Sequence, residues 1–198
     1  MPKIDHEERK HQIIATSIGL FAKWGYSAVN FGMLAKELGL ARTLLYTYFK
    51  DKRSIFNEAI TGVTQRVEAK YAEVVHSRQS ADAKLRQICM TVFAMLFDNR
   101  DFVCVIADVL AAQRRKGSIP VDKVDEHTRG LKRIIRLLLG EAVRRGEYRA
   151  DINPTRVMHL LYSQFEAAAL RLTITGRAEI SSCIDQTDAI LNSLTPRR

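Results

Sequence analysis

Three cysteines and four prolines are few for 198 residues. The cysteines, Cys89, Cys104 and Cys183, are far apart, odd in number and without Cys-x-x-Cys spacing. That pattern excludes a disulfide framework, a zinc ribbon and a dithiol redox motif, and fits a reducing cytosol. No apolar run approaches the roughly 20 residues of a membrane span, and Met1 to Glu8 lacks the apolar centre of a secretion signal. A soluble, cytoplasmic protein is expected. Strand-like alternation, internal repeats and low-complexity tracts are also missing, which leaves an all-α chain. So are the Gly-x-Ser-x-Gly elbow, the Gly-x-x-x-x-Gly-Lys loop and the Gly-x-Gly-x-x-Gly turn. His6 and His11 flank Glu7 and Glu8 but stand five apart, whereas His-Glu-x-x-His needs four to bring both rings to one metal. His127, His159, Asp108 and Glu166 are scattered and assemble into no acid–base pair. The expectation is therefore no enzyme, no metal and no cofactor.

What is present is positive charge and helical period. Thirty-one Lys and Arg against 22 Asp and Glu give a net charge of +9. Residues 1–56 carry nine basic and five acidic side chains, so +4 lies there and +5 beyond. The excess is spread along the chain and supplies only a salt-dependent attraction for an anionic partner.

A sharper signal runs from Phe21 to Phe56. Asn30 is a good N-cap for a helix over 31–38, in which Phe31, Leu34, Ala35 and Leu38 share one apolar face. Gly39 permits the positive φ that ends it. The next helix, from Arg42 to Phe49, turns Leu45 and Phe49 inward. Arg42, Thr43, Leu44, Tyr46 and Thr47 face outward, a set able to touch phosphates and base edges in a major groove. Arg42 suits a guanine or a phosphate, and Tyr48 suits either DNA contact or packing. Leu44 can offer only apolar contact, for example to a thymine methyl. Asp51 predicts a cap for a further helix, with Lys52 at its start beside a phosphate.

These residues resemble the TetR family of transcriptional regulators. Phe21-Ala22-Lys23-Trp24-Gly25 matches the family's Phe-x-x-x-Gly run, and Leu34-Ala35 its Leu/Ile-Ala pair. A turn close to Gly39-Leu40-Ala41 follows. Leu45-Tyr46-Thr47-Tyr48-Phe49-Lys50-Asp51-Lys52 matches Leu-Tyr-x-Tyr-Phe-x-x-Lys without a gap. Asn30 stands where the family usually has Thr, and Leu44 where it often has a small polar residue. The resemblance covers roughly residues 10 to 60. It implies a helix-turn-helix head over residues 1–52 and an effector-binding and dimerisation body over 53–198. DNA contacts are expected from Asn30, Arg42, Thr43, Leu44, Tyr46, Thr47, Tyr48 and Lys52.

The rest of the chain is helical by period. Ile13, Ile14, Ser17, Leu20, Phe21 and Trp24 mark the inner stripe of a first helix. Ile55, Phe56, Ala59, Ile60, Val63 and Val67 mark a long fourth helix linking head to body. The pattern breaks at Ser77–Ser80, the best internal boundary. A fifth helix carries Leu85 to Leu96, a sixth Phe102 to Leu110 with Gly117 and Pro120 closing it, and a seventh Leu131 to Ala142. Asn153-Pro154 opens an eighth that runs toward Gly176, and a ninth carries Ile184 to Leu194. The resemblance implies a homodimer through 153–175 and 182–194, with Ala167, Ala168 and Ala169 allowing close approach. It also implies a body cavity for a largely apolar small molecule. Met90, Phe93, Met95, Phe97 and Phe102 are candidate walls as well as core residues, and His127, Tyr162 and Gln164 candidate polar contacts. The function expected is an effector-released repressor of a palindromic operator. The alternatives are a DNA-binding dimer without effector response and a helical enzyme.

Overall fold

The computed structural model describes residues 6–116, 122–176 and 179–196, without the side chains of 112–116, 122 and 123. Among the described residues the chain is helical throughout, with α1 His6–Trp24, α2 Phe31–Leu38, α3 Arg42–Tyr48, α4 Lys52–His76, α5 Ala81–Asp98, α6 Arg100–Lys116, α7 Asp122–Arg144, α8 Pro154–Thr175 and α9 Ile180–Asn192. Gly117 and Pro120, expected to close α6, lie outside the described residues.

The helices fall into two compact units, residues 1–63 with 101–123, and 64–100 with 124–198. This division differs from the one expected at 52/53, because α4 is shared and a later segment joins the first unit. Phe102 of α6 packs against Phe56, with ring centroids 6.1 Å apart, and Asp108 accepts the backbone N–H of Tyr26 at 2.9 Å. The break at Ser77–Ser80 is likewise a helix end and no unit boundary. Across it, the buried Lys84 donates to the Val75 carbonyl at 2.9 Å, and Ser80 caps α5 by accepting from Ala83 N–H.

In the first unit α1 buries Ile13, Ser17 and Phe21. Ser17 Oγ satisfies itself on the Ile13 carbonyl at 2.6 Å, which makes a buried hydroxyl tolerable. Trp24, expected inward, is 55% exposed. It is the last residue of α1, where Gly25 at φ 79° turns the chain away, and its ring lies under the Lys23 ammonium instead.

In the second unit α5 is the central helix and packs against α8 and α9. It buries Leu85, Ile88, Cys89, Val92, Phe93 and Leu96. Its N-terminal amides are met by Glu147, which accepts from Ala81 and Asp82 N–H at 3.2 and 2.7 Å. A carboxylate there answers the free donors and the positive dipole end. Asp82 accepts in turn from Tyr148 Oη at 2.5 Å and Arg86 Nε at 2.9 Å, and Arg86 reaches on to Asp188 of α9 at 2.7 Å. α8 starts as expected, with Asn153 accepting from Thr155 and Arg156 N–H and Pro154 in its first turn.

Candidate DNA interface

The head is set by short-range interactions. Asn30 is extended, at φ −132° and ψ 169°, and its side chain accepts from Met33 N–H at 3.1 Å. At the other end of α2, Gly39 is left-handed at φ 63°. Leu40 N–H then reaches the Ala35 carbonyl and Gly39 N–H the Lys36 carbonyl, at 3.0 and 3.3 Å. This is the double closure that a residue with a Cβ resists. α3 follows with Leu45 fully buried and Phe49 4% exposed. That inward pair orients the opposite face outward.

On that face Arg42, Thr43, Leu44, Tyr46 and Thr47 are all exposed. Arg42 donates from Nη2 to Tyr46 Oη at 3.2 Å, which uses one of five guanidinium donors and leaves the fork free. The Tyr46 ring rests on Phe31, with centroids 4.7 Å apart, and so is held by α2 while its hydroxyl stays accessible. Thr47 Oγ1 donates to the Leu44 carbonyl at 2.7 Å, so towards DNA it retains only acceptor capacity. Tyr48 is half-buried and stacks on His6 at 4.6 Å. A cleft of about 380 Å³ beside α3 is lined by Asn30, Arg42, Tyr46, Lys50, Asp51 and Lys52, among others.

Lys52 departs from the expectation of a phosphate contact. Its ammonium donates to the carbonyls of Tyr26, Ser27 and Val29 at 2.7, 3.0 and 3.0 Å and lies 4.7 Å from the Tyr26 ring centroid. A lysine has three donors, and here each has a carbonyl. Burial holds its pKa below the ordinary lysine value, and burial first, with Asp51 second, holds that of Tyr26 above the ordinary phenol value. Lys52 therefore fixes the turn that presents Asn30. Sequence spacing placed it at a helix start but could not show carbonyls arriving from 23 to 26 residues earlier. Asp51 caps α4 as expected, accepting from Ser54 N–H at 2.7 Å.

The residues expected at an effector are divided. Phe102 belongs to the first unit. Met90 is 53% exposed, and Met95, Phe97 and Gln164 are half-buried. Phe93, fully buried, meets Phe165 edge-on at 5.1 Å, and Phe165 meets Tyr162 at 6.2 Å. The Tyr162 hydroxyl is 3.2 Å from Thr128 Oγ1, and Lys132 Nζ lies 3.9 Å from the Tyr162 ring centroid. His127 pairs through Nδ1 with Glu68 at 3.2 Å and stacks on Tyr71 at 5.9 Å. Tyr71 and Phe165 join these rings without being among the residues expected from sequence. The signal for Tyr71 was its place in the inward series Val67, Tyr71, Val74, where a phenol puts a polar atom into a core.

Among the described residues no three His, Cys, Asp or Glu side chains group as a metal site, and no helix is long and apolar enough to cross a membrane.

Residues 13–59 match the family of bacterial regulatory proteins, tetR family. The fatty acid metabolism regulator protein of Bacillus subtilis is 23% identical over 160 residues, 78% of each chain. The ketosteroid transcriptional regulator KstR2 of Mycobacterium tuberculosis superposes with a TM-score of 0.79 at 18% identity, over 98% of both chains. The transcriptional regulator FadR from Bacillus subtilis, solved in complex with stearoyl-CoA, superposes with a TM-score of 0.70 at 18% identity, over 92% of this chain and 95% of that one. With its capped α2, left-handed Gly39 and outward-facing α3 all inside the matched segment, residues 13–59 of this chain form a helix-turn-helix head of the tetR family of bacterial regulatory proteins.

Proposed function

We propose that this chain is a repressor that binds a palindromic operator as a homodimer and lets go when a small, largely apolar molecule occupies the second unit. The observation that carries the reading is the exposed row Arg42, Thr43, Leu44, Tyr46 and Thr47 on α3, held from behind by buried Leu45. Such a row supplies a bidentate donor, hydroxyls and an apolar group to a major groove. Asn30 and Tyr48 flank it as further contacts, and the cleft beside it offers Lys50 and Arg42 to the backbone.

Dimerisation is supported by α8. Leu160, Leu170 and Ile174 are 48%, 58% and 71% exposed, and with Ser163 and Ala167 they fall three and four residues apart on one face. An apolar stripe of this kind on a soluble domain marks a surface that another chain covers. Two heads then read two half-sites about one helical turn apart. Effector response is supported by the aromatic interior around Phe93, Tyr162 and Phe165, and by relatives named for fatty acid and ketosteroid regulation. The effector must prefer the form that fits the operator less well, because a ligand shifts an equilibrium only by its difference in affinity for the two states. A DNA-binding dimer without effector is the second reading. It is favoured by a cleft of only about 10 Å³ at Arg86, Cys89, Met90 and Phe93.

Selection of bound sequences from random duplex DNA tests the core of this proposal. An inverted repeat is expected, with binding that weakens steeply as salt rises. Recovery of no two-fold symmetric sequence would rule out the dimeric reader.

A further inference from the structure

The second unit buries a polar atom that has no partner among the described residues. Tyr71 is 2% exposed, and among the described residues its hydroxyl has no hydrogen-bond partner. A buried O–H without an acceptor is a standing cost, removed by anything that brings an oxygen to it. The surroundings define what can bring one. His127 lies flat beside the Tyr71 ring, and the Cys89 thiol, the Glu68 carboxylate and the Tyr162 phenol are near enough to act on the hydroxyl electrostatically. Tyr162 continues into the apolar row Phe165 and Phe93, and carries the Lys132 ammonium over its ring. Cys89 and Phe93 also line the small cleft that contains Thr187, whose own buried hydroxyl likewise has no partner among the described residues. The orphan Tyr71 hydroxyl on α4, the His127 ring and Lys132 ammonium on α7 and the Tyr162 ring on α8 are thus joined by ring contacts to the aromatic wall of Phe165 and Phe93, with Thr187 of α9 beyond Phe93.

We propose that the Tyr71 hydroxyl anchors the effector's headgroup, and that the effector is an apolar molecule ending in an oxygen acceptor, either a carboxylate or a carbonyl. The inference rests on the effector-response reading above and narrows it to a chemical class and an anchoring residue. The phenol donates to the ligand oxygen, the aromatic row receives the apolar body, and Lys132 adds attraction when the head is anionic.

Three probes with one chain length separate the possibilities: dodecanoate, its methyl ester and dodecyltrimethylammonium, each titrated into the full-length protein and into Tyr71→Phe. Dodecanoate or the ester should bind the natural protein, and Tyr71→Phe should weaken that binding about ten-fold, the loss of one hydrogen bond to an oxygen acceptor. Tighter binding of the acid than of the ester identifies a carboxylate head, and equal binding a carbonyl. The thermal midpoint of ligand-free Tyr71→Phe should equal or exceed that of the natural protein, since the substitution removes an unsatisfied group; a purely structural hydroxyl would lower it. Equal affinity of both proteins for the acid and the ester, or equal binding of the ammonium, overturns the anchor while leaving an effector site in place. No binding of any of the three overturns the anchor and the effector-response reading together.

Discussion

At Lys52 three ammonium protons meet three carbonyl oxygens within 3.0 Å, and this stoichiometry decides between two roles that sequence leaves open. A lysine at a phosphate contributes to counterion release, so its loss lowers the salt slope by about 0.9. A lysine spent on a turn contributes through the position of Asn30. Lys52→Met should therefore weaken operator binding while leaving the slope of log affinity against log salt nearly unchanged, and should lower the thermal midpoint. A slope reduced by about one unit with an unchanged midpoint would return Lys52 to the phosphate. Arg42 is the contrast, because its guanidinium spends one donor on Tyr46 and keeps the rest. Arg42→Ala should cost about 1–3 kcal/mol at particular base positions if its contact is bidentate. A uniform loss across all sequences would make it a backbone contact.

At the scale of the element, each helix end shows how far local chemistry reaches. Asn30, Gly39, Asp51 and Asn153-Pro154 lie at observed helix boundaries, and those were legible because a cap answers orphan groups one turn away. What was not legible is the partner from a distant element. The start of α5 is the clearest instance, where Glu147 receives the first amides and Tyr148 and Arg86 both donate to Asp82. Burial alone would raise the Asp82 pKa, but hydrogen bonds from Arg86 and Tyr148 outweigh it and hold the carboxyl below its ordinary value. A depressed folded-state pKa gives stability that is fully present above the unfolded value of about 3.9 and is lost as pH falls through the lower folded one. Arg86→Met removes the first of those donors and brings the folded-state pKa closer to the unfolded one, so the variant should be less stable near pH 7 but lose less stability on acidification, and the two stability curves should converge toward pH 3. Thermal midpoints followed by circular dichroism from pH 7 to pH 3 would show this, and parallel curves would exclude Asp82 as the responsible group.

For the whole molecule, the helical layout could be read from period alone, whereas the grouping of helices could not. Phe102 has the period of a body helix, yet it packs on Phe56 in the first unit, because period reports which face is apolar and says nothing of which apolar face it meets. The same limit applies to α8, whose exposed Leu160, Leu170 and Ile174 continue the inward spacing of Leu161, Phe165, Ala168 and Leu172 around the helix. Leu170→Glu combined with Ile174→Glu should leave the fold intact and convert a dimer into a monomer in sedimentation equilibrium. The doubled half-site should then bind no tighter than a single one. A dimer that persists in the variant would place the interface elsewhere.

The bond from Tyr26 to Asp108 spans 82 positions of chain, and it bears on the order in which the protein can be made. During synthesis the first three helices emerge together with the start of α4, but the residues that cover Phe56 and receive the Tyr26 amide, Phe102 and Asp108, lie about 50 residues further on. Until α6 leaves the ribosome, the head is a helix-turn-helix with an uncovered aromatic and an unanswered N–H. Non-local closure of this kind slows folding and leaves apolar surface open to misassembly meanwhile. A DNA-binding head that looks like a separable N-terminal module is, in this chain, finished only when the middle of the polypeptide arrives.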